Sequence, residues 1–366
     1  MKLLAVVGAR PNFMKVAPVL RAANAAGIET RLCHTGQHYD ARMSEIFFEE
    51  LRLPRPDLFL QVGSGTHAIQ TARIMMEFEK VVLDEKPDLV LVVGDVNSTL
   101  ACSLVCAKLG VSVAHVEAGL RSFDREMPEE INRMVTDILA DLLFTTSPEA
   151  KENLLREGVD GSKIHFTGNV MIDSLRYYER DVDESSVLDE LGLGAGGYAL
   201  MTLHRPSNVD REEDLRALLG AIAEAGRRMP VVWPIHPRTR KMIEEFGIDT
   251  DSLGFRLTEP LGYFAFQRLM RDARLVLTDS GGIQEETTVL GVPCLTLREN
   301  TERPITCEMG SNRLVGTDPK DIAENIRFVL DSDGVRESQI PPLWDGQAAE
   351  RIVEIILEWG ASTPST

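Results

Sequence analysis

The sequence predicts an α/β protein of two doubly wound domains, each a parallel sheet with helices on both faces. Three observations carry this. Short apolar runs alternate with longer amphipathic stretches along the whole chain. Runs such as Leu89-Val90-Leu91-Val92-Val93 are apolar at every position, as a strand covered on both faces requires. The alternation lapses near residue 180 and then resumes. A chain of 366 residues has room for two or three domains of roughly 100–200 residues each.

The first domain is assigned to residues 1–180. It opens on Leu3–Val7, which flows straight into Ala9-Arg10-Pro11 and so reads as a buried strand rather than a signal peptide. Further strands are expected at Thr30–His34, Leu89–Val93, Ser112–Val116, Leu142–Thr145 and Ile164–Phe166. Helices are expected between them at Lys15–Ala26, Met43–Leu51, Thr66–Glu85, Thr99–Leu109, Glu129–Ala140 and Pro148–Glu157. Glu179–Leu193 is acidic and polar, and Gly192–Gly197 is rich in glycine, so the linker is placed here. The second domain, residues 195–345, is expected to carry strands Tyr198–Leu203, Val231–Pro234, Phe255–Leu257, Leu275–Thr278 and Cys294–Leu297. Its helices are Glu212–Arg228, Thr239–Phe246, Phe264–Arg271, Ile283–Leu290 and Lys320–Leu330. A last helix covers Gln347–Trp359, and Gly360–Thr366 reads as a frayed tail. Ligands of such folds sit at the carboxyl ends of strands, which points to a cleft between the two domains.

Composition narrows the function. The chain is 43% hydrophobic and 26% charged, as an ordinary globular protein is. A formal charge of -18 lacks the basic footprint of a nucleic-acid binder and would be repelled by anionic membranes. No apolar run reaches the roughly 20 residues of a membrane span. Five scattered cysteines, Cys33, Cys102, Cys106, Cys294 and Cys307, form no disulfide framework, and the chain reads as cytoplasmic.

The strand-to-helix turn Gly8-Ala9-Arg10-Pro11-Asn12-Phe13-Met14-Lys15 places two cations, Arg10 and Lys15, where unpaired N–H groups already favour an anion. Asp279-Ser280-Gly281-Gly282 opens a second helix in the same way. Its glycines admit a phosphate to the backbone, Ser280 adds a hydroxyl or caps the helix, and Glu285 and Glu286 follow as candidates for ribose hydroxyls or as complements of the helix dipole. Neither Gly-x-Gly-x-x-Gly after the first strand nor a Gly-Lys-Ser/Thr loop is present, so no nicotinamide or P-loop chemistry is expected.

Acids gather at the ends of the first domain's strands. Asp95 follows one strand and Glu117 ends the next; Glu129 and Glu130 open a helix after Pro128. Clustered carboxylates split in pKa and divide acid and base work. Helix capping accounts equally for Asp95, and dipole complementarity for Glu129 and Glu130. Glu117, on an apolar strand, has no such explanation and is the strongest candidate. His204 and His236 stand at equivalent strand ends, each near an arginine, as an anion site would have them. Histidines and carboxylates never recur at metal-ligand spacing, so no metal is expected.

Together these segments resemble the non-hydrolysing UDP-N-acetylglucosamine 2-epimerase family. The matching stretches are Gly8–Lys15, His34–His38, Gly94–Ser98, His115–Ser122, Pro128–Arg133, His204-Arg205, His236-Pro237, Asp279–Glu286 and Thr301–Pro304. The resemblance implies two Rossmann-like domains in a GT-B-like arrangement, a last helix packed back on the first domain, a homodimer, and no cofactor. It implies inversion at C2 of UDP-GlcNAc, by elimination of UDP to 2-acetamidoglucal and re-addition. Asp95, Glu117 and Glu129 then match the catalytic carboxylates and His204 the essential histidine. Arg10, Lys15, Ser280, Gly281, Gly282 and Arg303 match groups around the diphosphate, Phe266 the uracil contact and Glu286 the ribose carboxylate. Gln37 and His236 match part of a second, activating site, although Val62–His67 lacks an arginine that many members carry and Asp40 stands in place of a glutamine. A branch acting on UDP-2,3-diacetamido-glucuronate is the alternative within the family, and a GT-B glycosyltransferase the alternative outside it. The uronate needs an extra cation, for which Arg121, Arg205 and Arg238 are candidates.

Overall fold

The computed structural model describes residues 1–37, 48–331 and 338–362. The chain forms two compact units. One comprises Met1–Tyr177 together with the chain from Pro342 onward, the other Tyr178–Pro341.

Among the described residues, the first unit is built on seven strands in the order β3-β2-β1-β4-β5-β6-β7. They are β1 Lys2–Val7, β2 Glu29–His34, β3 Leu58–Phe59, β4 Leu89–Val93, β5 Ser112–Ala118, β6 Leu142–Thr145 and β7 Ile164–Phe166. Every pairing is parallel. All five residues of β4 are buried, the expected state of a central parallel strand. The second unit has six parallel strands in the order β10-β9-β8-β11-β12-β13. These are β8 Ala199–Thr202, β9 Val231–Pro234, β10 Phe255–Thr258, β11 Leu275–Thr278, β12 Cys294–Thr296 and β13 Asn312–Leu314. Both sheets reverse their order beside the first strand of the unit, the doubly wound pattern in which functional loops gather at the carboxyl ends.

Four local differences from the sequence reading have physical causes. The first helix spans Arg10–Ala25 and starts five residues early. Pro11 fits its first turn, and the Asn12 side chain accepts from the N–H groups of Gly8 and Ala9, both at 3.0 Å. Lys15 therefore lies on a buried helical face and not in the turn. Glu179–Leu193 is no linker: it holds two short helices, Glu179–Asp183 and Val187–Glu190. Val187 and Leu188 join the core of the second unit with Tyr198 and Leu200, so a few apolar side chains outweigh an acidic average. Strands β3 and β13 were not expected because both are too short to show a period. Val170–Tyr177 adds a further helix that the sequence did not suggest. The expected helix Met43–Leu51 falls outside the described residues up to position 47; Phe48, Glu49 and Glu50 are helical.

The last helix, Ala348–Ser362, belongs to the first unit. The Asp173 carboxylate accepts from the Ala348 and Ala349 N–H groups at 3.2 and 2.6 Å, capping that helix from 175 residues away in the chain. Asp173→Ala is expected to cost about 1–2 kcal/mol, the usual value of a lost N-cap, as a shift in denaturant midpoint at unchanged slope. No helix among the described residues is long and apolar enough to cross a membrane.

Candidate active site

In the first unit the site grows from a break in β5. Register with β6 shifts between Val116 and Ala118, leaving Glu117 as the extra residue of a bulge. Its φ is +73°, a conformation that a side chain with a Cβ rarely adopts. Bulges beside functional sites re-aim a side chain, and here Glu117 is turned into the protein, 6% exposed. Its carboxylate accepts a hydrogen bond from Lys15 Nζ. Gly94, at φ +67°, passes so close that a Cβ there would lie 3.1 Å from Lys15 Nζ and 3.2 Å from Glu117 Oε2. A larger residue at 94 would push the pair apart. Lys15, expected from the sequence beside a phosphate, is paired here with Glu117.

Asp95, half-exposed, pairs with Arg133 Nη2 at 2.5 Å. Arg133 Nη1 donates to Glu130 at 2.6 Å. The two glutamates that open helix Pro128–Leu139 part company. Glu130 is buried and its carboxylate is consumed by the Ser122 and Phe123 N–H groups, the Ser122 hydroxyl and Arg133. Glu129 is half-buried and forms no hydrogen bond or ion pair with the described residues, which leaves it available to a ligand. Arg133 is a site residue that the sequence reading missed. Its signal was its spacing, one helical turn after Glu130.

In the second unit, His204 follows β8 and Asp279 follows β11. The His204 ring is 44% exposed, and its Nδ1 meets Asp279 Oδ1 at 2.8 Å. Asp279 is fully buried. It also accepts from the His204 N–H at 3.0 Å, the Arg205 N–H at 2.9 Å and Asn208 Nδ2 at 3.2 Å. Burial opposes its ionisation, but His204 and these donors outweigh it and hold its carboxyl below the ordinary value. A carboxylate on Nδ1 sets the tautomer and orientation of the ring and leaves Nε2 for chemistry. Asp279 was read only as the start of a glycine turn; its orienting role was missed. His236 lies beside His204, ring centroids 6.2 Å apart, and accepts from the Arg238 N–H as the cap of helix Pro237–Glu245.

Helix Gly281–Leu290 starts after Ser280, whose side chain makes no capping bond. Its first N–H groups thus stay open to an anion. Gly281 has a second reason to be glycine: a Cβ there would lie 2.5 Å from Arg303 Nη1. Arg303 itself is buried against Glu285 at 2.9 Å and Glu302 at 2.5 Å, so it enters the site already partnered. Glu286 is buried and accepts from Gln267 Nε2 at 2.6 Å. Phe266, half-buried, is the residue before Gln267 on helix Tyr263–Arg271. The side chain of Arg10 lies outside the described part of the structure. Gln37 is turned inward, its Oε1 accepting from the Ser98 N–H and hydroxyl at 2.9 and 2.7 Å. There it caps helix Asn97–Leu109, leaving that oxygen committed. Among the described residues no three His, Cys, Asp or Glu side chains stand together as metal ligands.

Burial pushes the Glu286 carboxyl from 4.5 up to about 8, with Glu285 adding to the shift and Gln267 opposing it. Between those two values the folded protein holds a proton that the unfolded chain has lost. This contribution to stability is complete below about pH 4.5 and disappears as pH rises through 8. Thermal melts from pH 5 to 9 are therefore expected to fall more steeply for the wild type than for Glu286→Gln, which cannot titrate. Parallel curves would remove the shift.

Comparison with known proteins meets this geometry. The family model described as UDP-N-acetylglucosamine 2-epimerase matches residues 21–357. A UDP-N-acetylglucosamine 2-epimerase of Methanocaldococcus jannaschii is 44% identical over 366 residues, spanning 97% of this chain and 99% of its own. The UDP-2,3-diacetamido-2,3-dideoxy-D-glucuronate 2-epimerase of Pseudomonas aeruginosa is 43% identical over 363 residues, with the same two coverages. The crystal structure of the M. jannaschii UDP-GlcNAc 2-epimerase in complex with UDP-GlcNAc and UDP is similar at a TM-score of 0.91 and 43% identity, over 98% of this chain and all of that one. With a family model matching residues 21–357 and likeness along nearly its whole length, the chain belongs to the UDP-N-acetylglucosamine 2-epimerase family.

Proposed function

We propose that this protein is a UDP-N-acetylglucosamine 2-epimerase, an isomerase that interconverts UDP-GlcNAc and UDP-ManNAc without a cofactor. The observation that carries the chemistry is the buried Glu117, set on a bulge against Lys15, in a chain 44% identical to an epimerase of that name. The C2 proton of the sugar is not acidic, so departure of UDP runs ahead of or with proton loss. Donors on the diphosphate stabilise that departure. His204 Nε2, the N–H groups at Ser280–Gly282 and the cation of Arg10 take this part. Arg303 shapes the pocket by holding Glu302 and Glu285. Glu117 exchanges the C2 proton on one face, with Asp95 and Glu129 completing the acid/base set, because removal and return on opposite faces need more than one group. Phe266 packs on the uracil and Glu286 addresses the ribose.

The P. aeruginosa relative makes the diacetamido-glucuronate a second reading. A uronate needs a spare cation near C6. The three candidates are engaged: Arg121 by Asp137 and Glu157, Arg205 by the Asp279 carbonyl and Glu302, and Arg238 by Asp210. That favours the neutral N-acetylhexosamine. Incubation of UDP-GlcNAc alone in deuterated water tests both readings. Deuterium at C2 and formation of UDP-ManNAc are expected without any acceptor. Label only with the uronate would reverse the choice, and a need for an acceptor would indicate a glycosyltransferase.

We also infer a homodimer in the cytoplasm. Along helix His67–Glu85, Ile69, Met76 and Leu83 are spaced by seven and exposed by 48, 64 and 56%, an apolar row suited to a partner. Light scattering is expected to give twice the 40.6 kDa chain mass. The buried thiols of Cys33, Cys102, Cys106 and Cys294 suit a reducing compartment.

A further inference from the structure

A backbone held at positive φ on a residue with a side chain is strained and persists only where its surroundings over-determine it. What over-determines Glu117 is a buried polar cluster that the proposed mechanism does not use. Asp137, on helix Pro128–Leu139, is its hub. Its Oδ1 is hydrogen-bonded to His115 Nδ1 at 2.7 Å. Its Oδ2 accepts from the Gly119 N–H at 3.1 Å and from Arg121 Nη1 at 2.7 Å. His115 Nε2 in turn donates to the Gly94 carbonyl at 2.8 Å. Gly94 donates its own N–H to the Val116 carbonyl at 3.0 Å. Arg121 is locked from its far side by Glu157, at 2.8 and 2.6 Å.

These bonds enclose the bulge. His115 lies two residues before Glu117 and Gly119 two after it, and one carboxylate grips both. Gly94, held by the same histidine, is the residue that lies against the Lys15–Glu117 pair. Neither His115 nor Asp137 exposes any side-chain surface, so neither touches substrate. We propose that Asp137 and His115 are positioning residues for the epimerisation. They fix the bulge of β5 in the one conformation that presents the Glu117 carboxylate to Lys15 and to the reacting carbon. This inference rests on the catalytic reading of Glu117 given above.

A double-mutant cycle tests it. Asp137→Asn keeps the size of the side chain but removes the charge opposite Arg121 and replaces the acceptor that faces His115 with a donor, loosening the bulge. Wild type, Glu117→Gln, Asp137→Asn and the double variant are assayed for C2 deuterium exchange over long incubations, with folding followed by circular dichroism and melting. Asp137→Asn is expected to lower kcat by about 10²-fold, the cost of a misplacement near 1 Å, with KM for UDP-GlcNAc within about twofold. The double variant is expected to be no slower than Glu117→Gln, because Asp137 acts through that residue. Losses that multiply, or a wild-type kcat in folded Asp137→Asn, would overturn the positioning role while leaving Glu117 catalytic. Near wild-type exchange in Glu117→Gln would instead remove the reading on which the inference stands. Should Asp137→Asn fail to fold, His115→Asn runs the same cycle: its amide still donates to Asp137 but no longer reaches Gly94, and the same two patterns decide.

Discussion

Glu117→Gln is expected to slow C2 exchange by about 10²–10⁴-fold, the usual contribution of one acid/base group, with the fold retained. The amide has the shape of the carboxylate and the same Cβ, so the strained backbone of the bulge at φ +73° meets no new contact. Its oxygen still accepts from Lys15 Nζ, and the buried ammonium keeps a partner. What is lost is the capacity to take and return a proton. The effect should fall on kcat, because Phe266, Ser280 and Glu286, which address the nucleotide, lie in the second unit and are untouched. Proton NMR of UDP-GlcNAc in deuterated water reads the exchange directly. A variant that turns over near the wild-type rate would take Glu117 out of the mechanism.

Asp279→Asn is expected to lower kcat by about 10²-fold or more, through His204. The buried carboxylate accepts the Nδ1 proton of His204 at 2.8 Å and so lets the ring carry a second proton on Nε2 as it donates to the diphosphate. An amide nitrogen at that position would donate to Nδ1 instead, confining the ring to a neutral Nε2–H form and weakening that donor. Asparagine is the informative substitution. Alanine would leave the N–H groups of His204 and Arg205 and the Asn208 amide without their acceptor, at about 1–3 kcal/mol for each buried donor, and would confound catalysis with stability. A folded Asp279→Asn with unchanged kcat would confine Asp279 to the fold.

The sequence by itself determined the architecture and named most of the candidate site residues. A strand covered by helices on both faces must be apolar at every position whatever its neighbours are, so Leu89–Val93 declares itself locally. Glycines and polar residues at strand ends likewise mark the places where a doubly wound sheet puts its chemistry: His204 and Ser280 lie in such loops and Glu117 at the end of its strand. Only the tertiary structure decided what those residues do to one another. Lys15 and Glu117 are 102 residues apart in the chain, and Asp279 reaches back 75 residues to His204. Adjacent Glu129 and Glu130 have the same local pattern; one is open and the other buried because Ser122, Phe123 and Arg133 converge on Glu130 alone. Gln37, which the resemblance places in part of a second site, has its amide oxygen engaged by Ser98, 61 residues away. Local pattern reports burial and period, which neighbouring residues set. Pairing of charges and hydrogen bonds depends on which strands the sheet brings side by side, and strand order is a property of the folded chain as a whole.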